Sequence, residues 1–91
     1  MSPQIIHQPD ANRFIAMVDG HEAELAYRRS AGALDLVHTS VPVAIAGQGV
    51  AGALVKAALD LARAQGLHVL PSCSYAARYI ERHPEYADLI Q

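Results

Sequence analysis

The stretch Ala46-Gly47-Gln48-Gly49-Val50-Ala51-Gly52, running straight into the Ala- and Leu-rich segment Ala53-Leu54-Val55-Lys56-Ala57-Ala58-Leu59-Asp60-Leu61-Ala62-Arg63-Ala64-Gln65, decides the fold. A helix start normally draws on Ser, Thr, Asp or Asn to satisfy its free amides, and only Gly and Gln stand near this one. Those amides, at the positive end of the helix dipole, suit an anion such as a phosphate. A tight glycine turn that lets a strand and a helix pack closely would use the same residues. On the glycines alone both readings stay open.

Working outward, Val50 to Gln65 reads as a helix with Val50, Leu54, Ala57, Ala58 and Leu61 on its apolar face and Gly52, Lys56, Asp60 and Arg63 as a polar stripe. Gly66 is the expected stop. Upstream, Ile5 to His7 reads as a short strand. Phe14 to Val18 reads as another, turning at Asp19-Gly20 into Glu22 to Arg29, where Ala23, Leu25 and Tyr27 alternate with polar residues. Ser30-Ala31-Gly32 turns the chain again. Ala33 to Val41 follows as a strand, with Leu34 and Leu36 on one face and Val37 and Thr39 on the other. Pro42 has no amide proton, so ladder pairing should fail near Thr39 to Val43 and leave backbone groups free. Downstream, Leu67 to Leu70 is a short strand, Tyr75 to Arg82 a helix capped by Ser72 or Ser74, and Pro84 opens a last short helix reaching Ile90. A strand, crossover helix and second strand should lie parallel. The order predicts an α+β domain with the long helix on one face of a mainly antiparallel sheet.

Ninety-one residues, 52% hydrophobic and 18% charged, fit one folded domain over residues 1–91. The segment Met1 to Pro9 lacks a basic region followed by an apolar run, and no apolar stretch approaches the roughly 20 residues of a membrane helix. With the lone cysteine Cys73, which excludes an internal disulfide, this leads to the expectation of a cytoplasmic protein without membrane partners. A formal charge of −2 with no basic block argues against nucleic acid.

Four motifs stand in order: His38-Thr39-Ser40-Val41-Pro42; Gly47-Gln48-Gly49-Val50-Ala51; Pro71-Ser72-Cys73-Ser74-Tyr75; and Tyr79-Ile80 with His83-Pro84-Glu85-Tyr86. Together they resemble the short, single-domain branch of the GCN5-related N-acetyltransferases, from about Phe14 to the C-terminus. The resemblance implies a twisted, mainly antiparallel sheet whose parallel strand pair splays around acetyl-CoA, followed by short C-terminal helices. It also implies transfer of an acetyl group from acetyl-CoA to an amine, the acceptor being a small molecule, peptide or protein that the sequence does not name. A module that binds or senses acyl-CoA without catalysis is the alternative. By position, Gly47, Gln48, Gly49, Val50 and Ala51 would meet the pyrophosphate. Thr39, Ser40, Val41 and Val43 would offer free backbone to the pantetheine arm, and Tyr79 would lie beside the cofactor. The chain departs from the family twice. Ala46 stands where the phosphate motif usually opens with Arg or Gln, and Ser40 stands where related short sequences often carry Glu near the acetyl group.

Three residues become catalytic candidates. His38 carries an imidazole that could take a proton from an amine, although a lone strand histidine is commonly structural. Tyr75, one helical turn before Tyr79, could protonate a departing CoA thiolate, or both could simply pack. Cys73 lies between a strand and a helix N-terminus, a setting that favours the thiolate, and could accept the acetyl group; cysteine is also a common buried residue. His7, His21, His68 and His83 show no metal-ligand spacing and read as surface or capping residues. No metal is expected. Tyr86, Leu89 and Ile90 read as a lid over the core.

Overall fold

Asp19 and Gly20 both adopt positive φ, 50° and 78°, the geometry that lets two residues reverse a right-twisted ladder. In the computed structural model, which describes residues 3–90, they join β2 (Arg13–Val18) to β3 (His21–Ser30). β1 (Gln4–Gln8) pairs antiparallel with β2, and β4 (Ala33–Ser40) pairs antiparallel with β3. After the long helix α1 (Val50–Gln65), β5 (His68–Leu70) adds to β4 in parallel, giving the order β1-β2-β3-β4-β5. The helix α2 (Ser74–Arg82) and a 3-10 segment, Pro84–Leu89, complete an α+β fold. No helix among the described residues is long and apolar enough to cross a membrane.

The strand alternation works as the sequence predicts through β3, whose Ala23, Leu25 and Tyr27 are buried. It fails in β4. There Tyr27 stands opposite Leu36 but Ala26 opposite His38, so Val37 is left out of the ladder as a β-bulge. One extra residue reverses every face that follows it. Leu34, Leu36 and Thr39 therefore share the face covered by α1, and the expectation that Thr39 lies opposite the two leucines is corrected. The strand also ends at Ser40 rather than Val41, and a 3-10 turn over Val43–Ile45, unseen in the sequence pattern, buries Ile45.

α1 has the predicted ends but a rotated face. Its buried residues are Val50, Leu54, Val55, Ala58, Leu59 and Ala62, while Ala57 and Leu61 are only partly buried at the flank. The rotation arises because the predicted polar stripe carries a second layer of structure. Gly52 receives α2, Asp60 accepts a hydrogen bond from the Tyr86 hydroxyl at 2.9 Å, and Arg63 grips Asp88 through two contacts of 3.0 Å. At the C-terminal end Gly66, at φ 67°, takes the left-handed cap, its amide reaching Ala62 and Arg63. Tyr86 and Leu89 join the core, and Ile90 bridges to Val69, so this segment is the expected lid.

Neither serine caps α2. Its N-cap is Cys73, Ser74 is its first residue, and the Ser72 hydroxyl instead donates to Asp35 of β4 at 2.5 Å. At the other end His83 Nδ1 lies 2.9 Å from the Tyr79 carbonyl and its ring stacks on Tyr79, as a capping histidine should.

Candidate functional site

β4 and β5 are paired only from Ala33 to Asp35 on one side and His68 to Leu70 on the other. The Cys73 amide then reaches the Leu36 carbonyl at 2.8 Å, and beyond that point the chain leaves β4 to enter α2. Among the described residues, the β5-facing edge of β4 past Leu36 is thus without a strand partner. A cleft of about 460 Å³ opens there, with Thr39 and Val41 on the strand side, Ala46, Gly47, Gly49, Val50 and Ala51 at the turn, and Tyr75 from α2.

The turn itself keeps its donors free. Gly47 and Gly49 sit at φ 82° and 78°, a left-handed backbone that L side chains rarely adopt. Gly49 is the N-cap of α1, and no side chain caps the helix. Residues 46–49 are exposed, and among the described residues no side chain takes up the first amides of the 16-residue helix that follows. Such a terminus attracts anions through aimed N–H groups and the helix dipole together.

Cys73 is not among the residues lining the cleft, but its side chain meets Thr39, which is. The Cys73 thiol lies 3.5 Å from Thr39 Oγ1, a contact that exists because the Val37 bulge turns Thr39 inward. Burial pushes the Cys73 thiol up, but hydrogen bonds from the Thr39 hydroxyl and from the backbone amides of Ala76, Tyr75 and Thr39 outweigh it. The net effect lowers its pKa, as expected for a thiol beside a helix N-terminus.

The remaining candidates are only partly brought together. Tyr75 is 43% exposed and reaches the first turn of α1. A Cβ built on Gly52 would meet its hydroxyl at 3.7 Å and Tyr79 Cε2 at 3.5 Å. Tyr79 lines an adjoining groove rather than the cleft. His38 and Ser40 pair with Ala26 and Glu24, and the bulge turns both to the sheet face opposite Thr39 and α1. His38 is therefore exposed on the wrong side to work in the cleft. Val43 is 92% exposed in its 3-10 turn, outside the cleft lining. Gln48 lines a separate hollow with Gln4 and Met17. Sequence reasoning missed the side-chain role of Thr39, for which β4 carries no Gly or Pro to signal a bulge. It also missed the cleft position of Ala46, a departure from the motif that still forms part of the wall. No cluster of three His, Cys, Asp or Glu able to hold a metal occurs among the described residues.

A two-layer α+β fold with a cap-free helix start beside a splayed parallel strand pair is the architecture of an acyltransferase of the GCN5-related class. The model of the GCN5-related N-acetyl-transferase family matches residues 13–89, and the chain belongs to that family. A chicken (Gallus gallus) relative, Protein NATD1, is 31% identical over 93 aligned positions, which cover 97% of this chain and 84% of the relative. The mouse (Mus musculus) protein of the same name is 38% identical over 60 positions, 64% of this chain, and the match spans only 54% of the mouse protein. Among solved structures, a GCN5-like protein from Staphylococcus aureus determined by solution NMR superposes with a TM-score of 0.76 at 30% identity. That match covers 99% of this chain and 89% of the other.

Proposed function

We propose that this chain is a single acyl-CoA-binding domain that transfers an acetyl group from acetyl-CoA to an amine. The observation that carries the reading is the uncapped N-terminus of α1 opening into a cleft whose other wall is an unpaired strand edge. Coenzyme A needs both at once, because it joins a pyrophosphate to an arm containing two amide groups. The backbone amides of Gly47, Gln48, Gly49, Val50 and Ala51 hold the pyrophosphate. The main chain of Thr39, Ser40, Val41 and Val43 pairs with the arm, a role that does not depend on which way those side chains point. The absence of Arg or Gln at position 46 removes one charge-assisted contact, a loss of about 1.5–3 kcal/mol at most.

Acetyl-CoA supplies an acetyl group already activated as a thioester. Cys73, held toward the thiolate by Thr39 and the start of α2, attacks the carbonyl carbon, and the bond to the CoA sulfur breaks. The departing thiolate takes the Tyr75 hydroxyl proton, which solvent replaces. An amine then attacks the Cys73 thioester, releases the thiolate, and loses its proton to water. His38 has no part in this scheme, because it stands on the far face of the sheet.

Intact-mass analysis tests it. Acetyl-CoA alone should add one acetyl group, mapped to Cys73, and a competent amine should discharge it. Cys73→Ala should bind CoA normally and fail in transfer; unchanged turnover would reassign the reaction to direct attack by the amine. One observation favours a second reading: among the described residues no carboxylate or imidazole lines the cleft. CoA binding with no acetyl transfer to any amine would make the protein an acyl-CoA-binding module.

A further inference from the structure

Beside the cleft lies a smaller groove of about 140 Å³ lined by Tyr75, Arg78, Tyr79, Arg82 and His83. Three of the chain's seven Lys and Arg residues are engaged by carboxylates: Arg13 by Glu24, Lys56 by Asp60 and Arg63 by Asp88. Arg78 and Arg82 are exposed and make no ion pair among the described residues. One helical turn separates them, so both guanidinium groups serve the same side of α2. Next to them the stacked rings of Tyr79 and His83, 3.9 Å apart, offer an aromatic wall.

The groove's position says which part of a ligand it serves. It shares Tyr75 with the cleft, and Tyr79 packs so close to Gly52 that a Cβ there would meet its ring at 3.5 Å, one residue beyond the amides to which the pyrophosphate is assigned. The acyl end is assigned to Cys73 and Thr39. Beyond its pyrophosphate, coenzyme A continues into a ribose bearing a 3′-phosphate and an adenine. A phosphomonoester carries about −1.5 to −2 charges at neutral pH and matches paired guanidinium groups. We infer that Arg78 and Arg82 bind the 3′-phosphate of coenzyme A and make the protein select CoA over 3′-dephospho-CoA. The inference rests on the donor reading proposed above and adds a specificity determinant to it.

Calorimetric titration of the full chain with CoA and with 3′-dephospho-CoA separates the two ideas. The expected result is a preference for CoA of about tenfold, the size of a modest charge-assisted contact at an open site. Arg78→Gln with Arg82→Gln should abolish that preference while leaving dephospho-CoA affinity unchanged, which also shows that fold and cleft are intact. Equal binding of both ligands by the parent overturns the inference and leaves the donor reading standing. A preference that survives the double substitution, or an equal loss of both ligands, overturns it as well. If neither ligand binds the parent, the donor reading falls and the inference with it.

Discussion

The Cys73 sulfur and the Thr39 hydroxyl lie 3.5 Å apart because one residue, Val37, drops out of the β3–β4 ladder. Without that slip the threonine would face away from α1, and the thiol would keep only the amides of α2 and the Thr39 backbone against its burial. The lowered pKa places more thiolate at neutral pH, since a depressed acid constant favours the charged form. The pH profile of Cys73 alkylation by iodoacetamide should therefore have its midpoint below that of the unfolded chain. Thr39→Val should move the midpoint upward by removing a donor to the sulfur, with CoA binding through the backbone retained. Identical midpoints in the folded and unfolded chains would contradict this account of the thiol. None of this pairing was legible in the sequence, because Val37 and His38 carry no mark that distinguishes a bulge from a regular strand. The uncapped start of α1 was legible, because it follows from residues that are absent: among the described residues no side chain caps the helix at Gly49.

α1 shows how far periodicity reaches. Its limits at Gly49 and Gly66 follow from local backbone chemistry, and both glycines adopt the left-handed conformation. Its buried face does not follow so directly. The side chains of Lys56, Asp60 and Arg63 look solvated in a single-helix projection, yet Asp60 and Arg63 tie down the segment from Glu85 to Asp88. The core consequently shifts toward Val55 and Leu59. Leu59→Ala should destabilise the protein by about 2–5 kcal/mol, as a fully buried leucine does. Leu61→Ala, at the flank, should have less than about half that effect. Urea unfolding of the two variants measures both, and equal losses would restore the face predicted from spacing. The β2–β3 hairpin was legible, because one buried face and a positive-φ turn leave little choice of register, whereas β1 extends to Gln4 and Gln8 and is followed by a 3-10 turn over Pro9–Ala11 that the pattern did not signal. The splay of β4 from β5 was foreshadowed by Pro42, but its extent depends on where Cys73 and α2 leave the sheet.

Across the molecule, the sheet, α1 and the C-terminal segment form one hydrophobic cluster that fixes the cleft walls relative to one another. Phe14, Leu25, Leu36, Leu54, Leu59, Val69 and Tyr86 all contribute to it. The uncapped helix start and the unpaired strand edge are thereby held side by side, and the proposed binding of a ligand with both a pyrophosphate and an amide-bearing arm rests on that arrangement. A thermal-shift comparison of CoA, acetyl-CoA, ATP and inorganic pyrophosphate tests that pairing most directly. At 100 times its dissociation constant a ligand adds about 2.7 kcal/mol, which for a chain of this size raises Tm by about 10–20 °C. CoA and acetyl-CoA should produce shifts of that size at concentrations where ATP and pyrophosphate produce much smaller ones, because only the CoA ligands use the β4 edge as well as the α1 amides. Equal shifts for all four would contradict the assignment of the strand edge, and no shift for CoA would contradict the site.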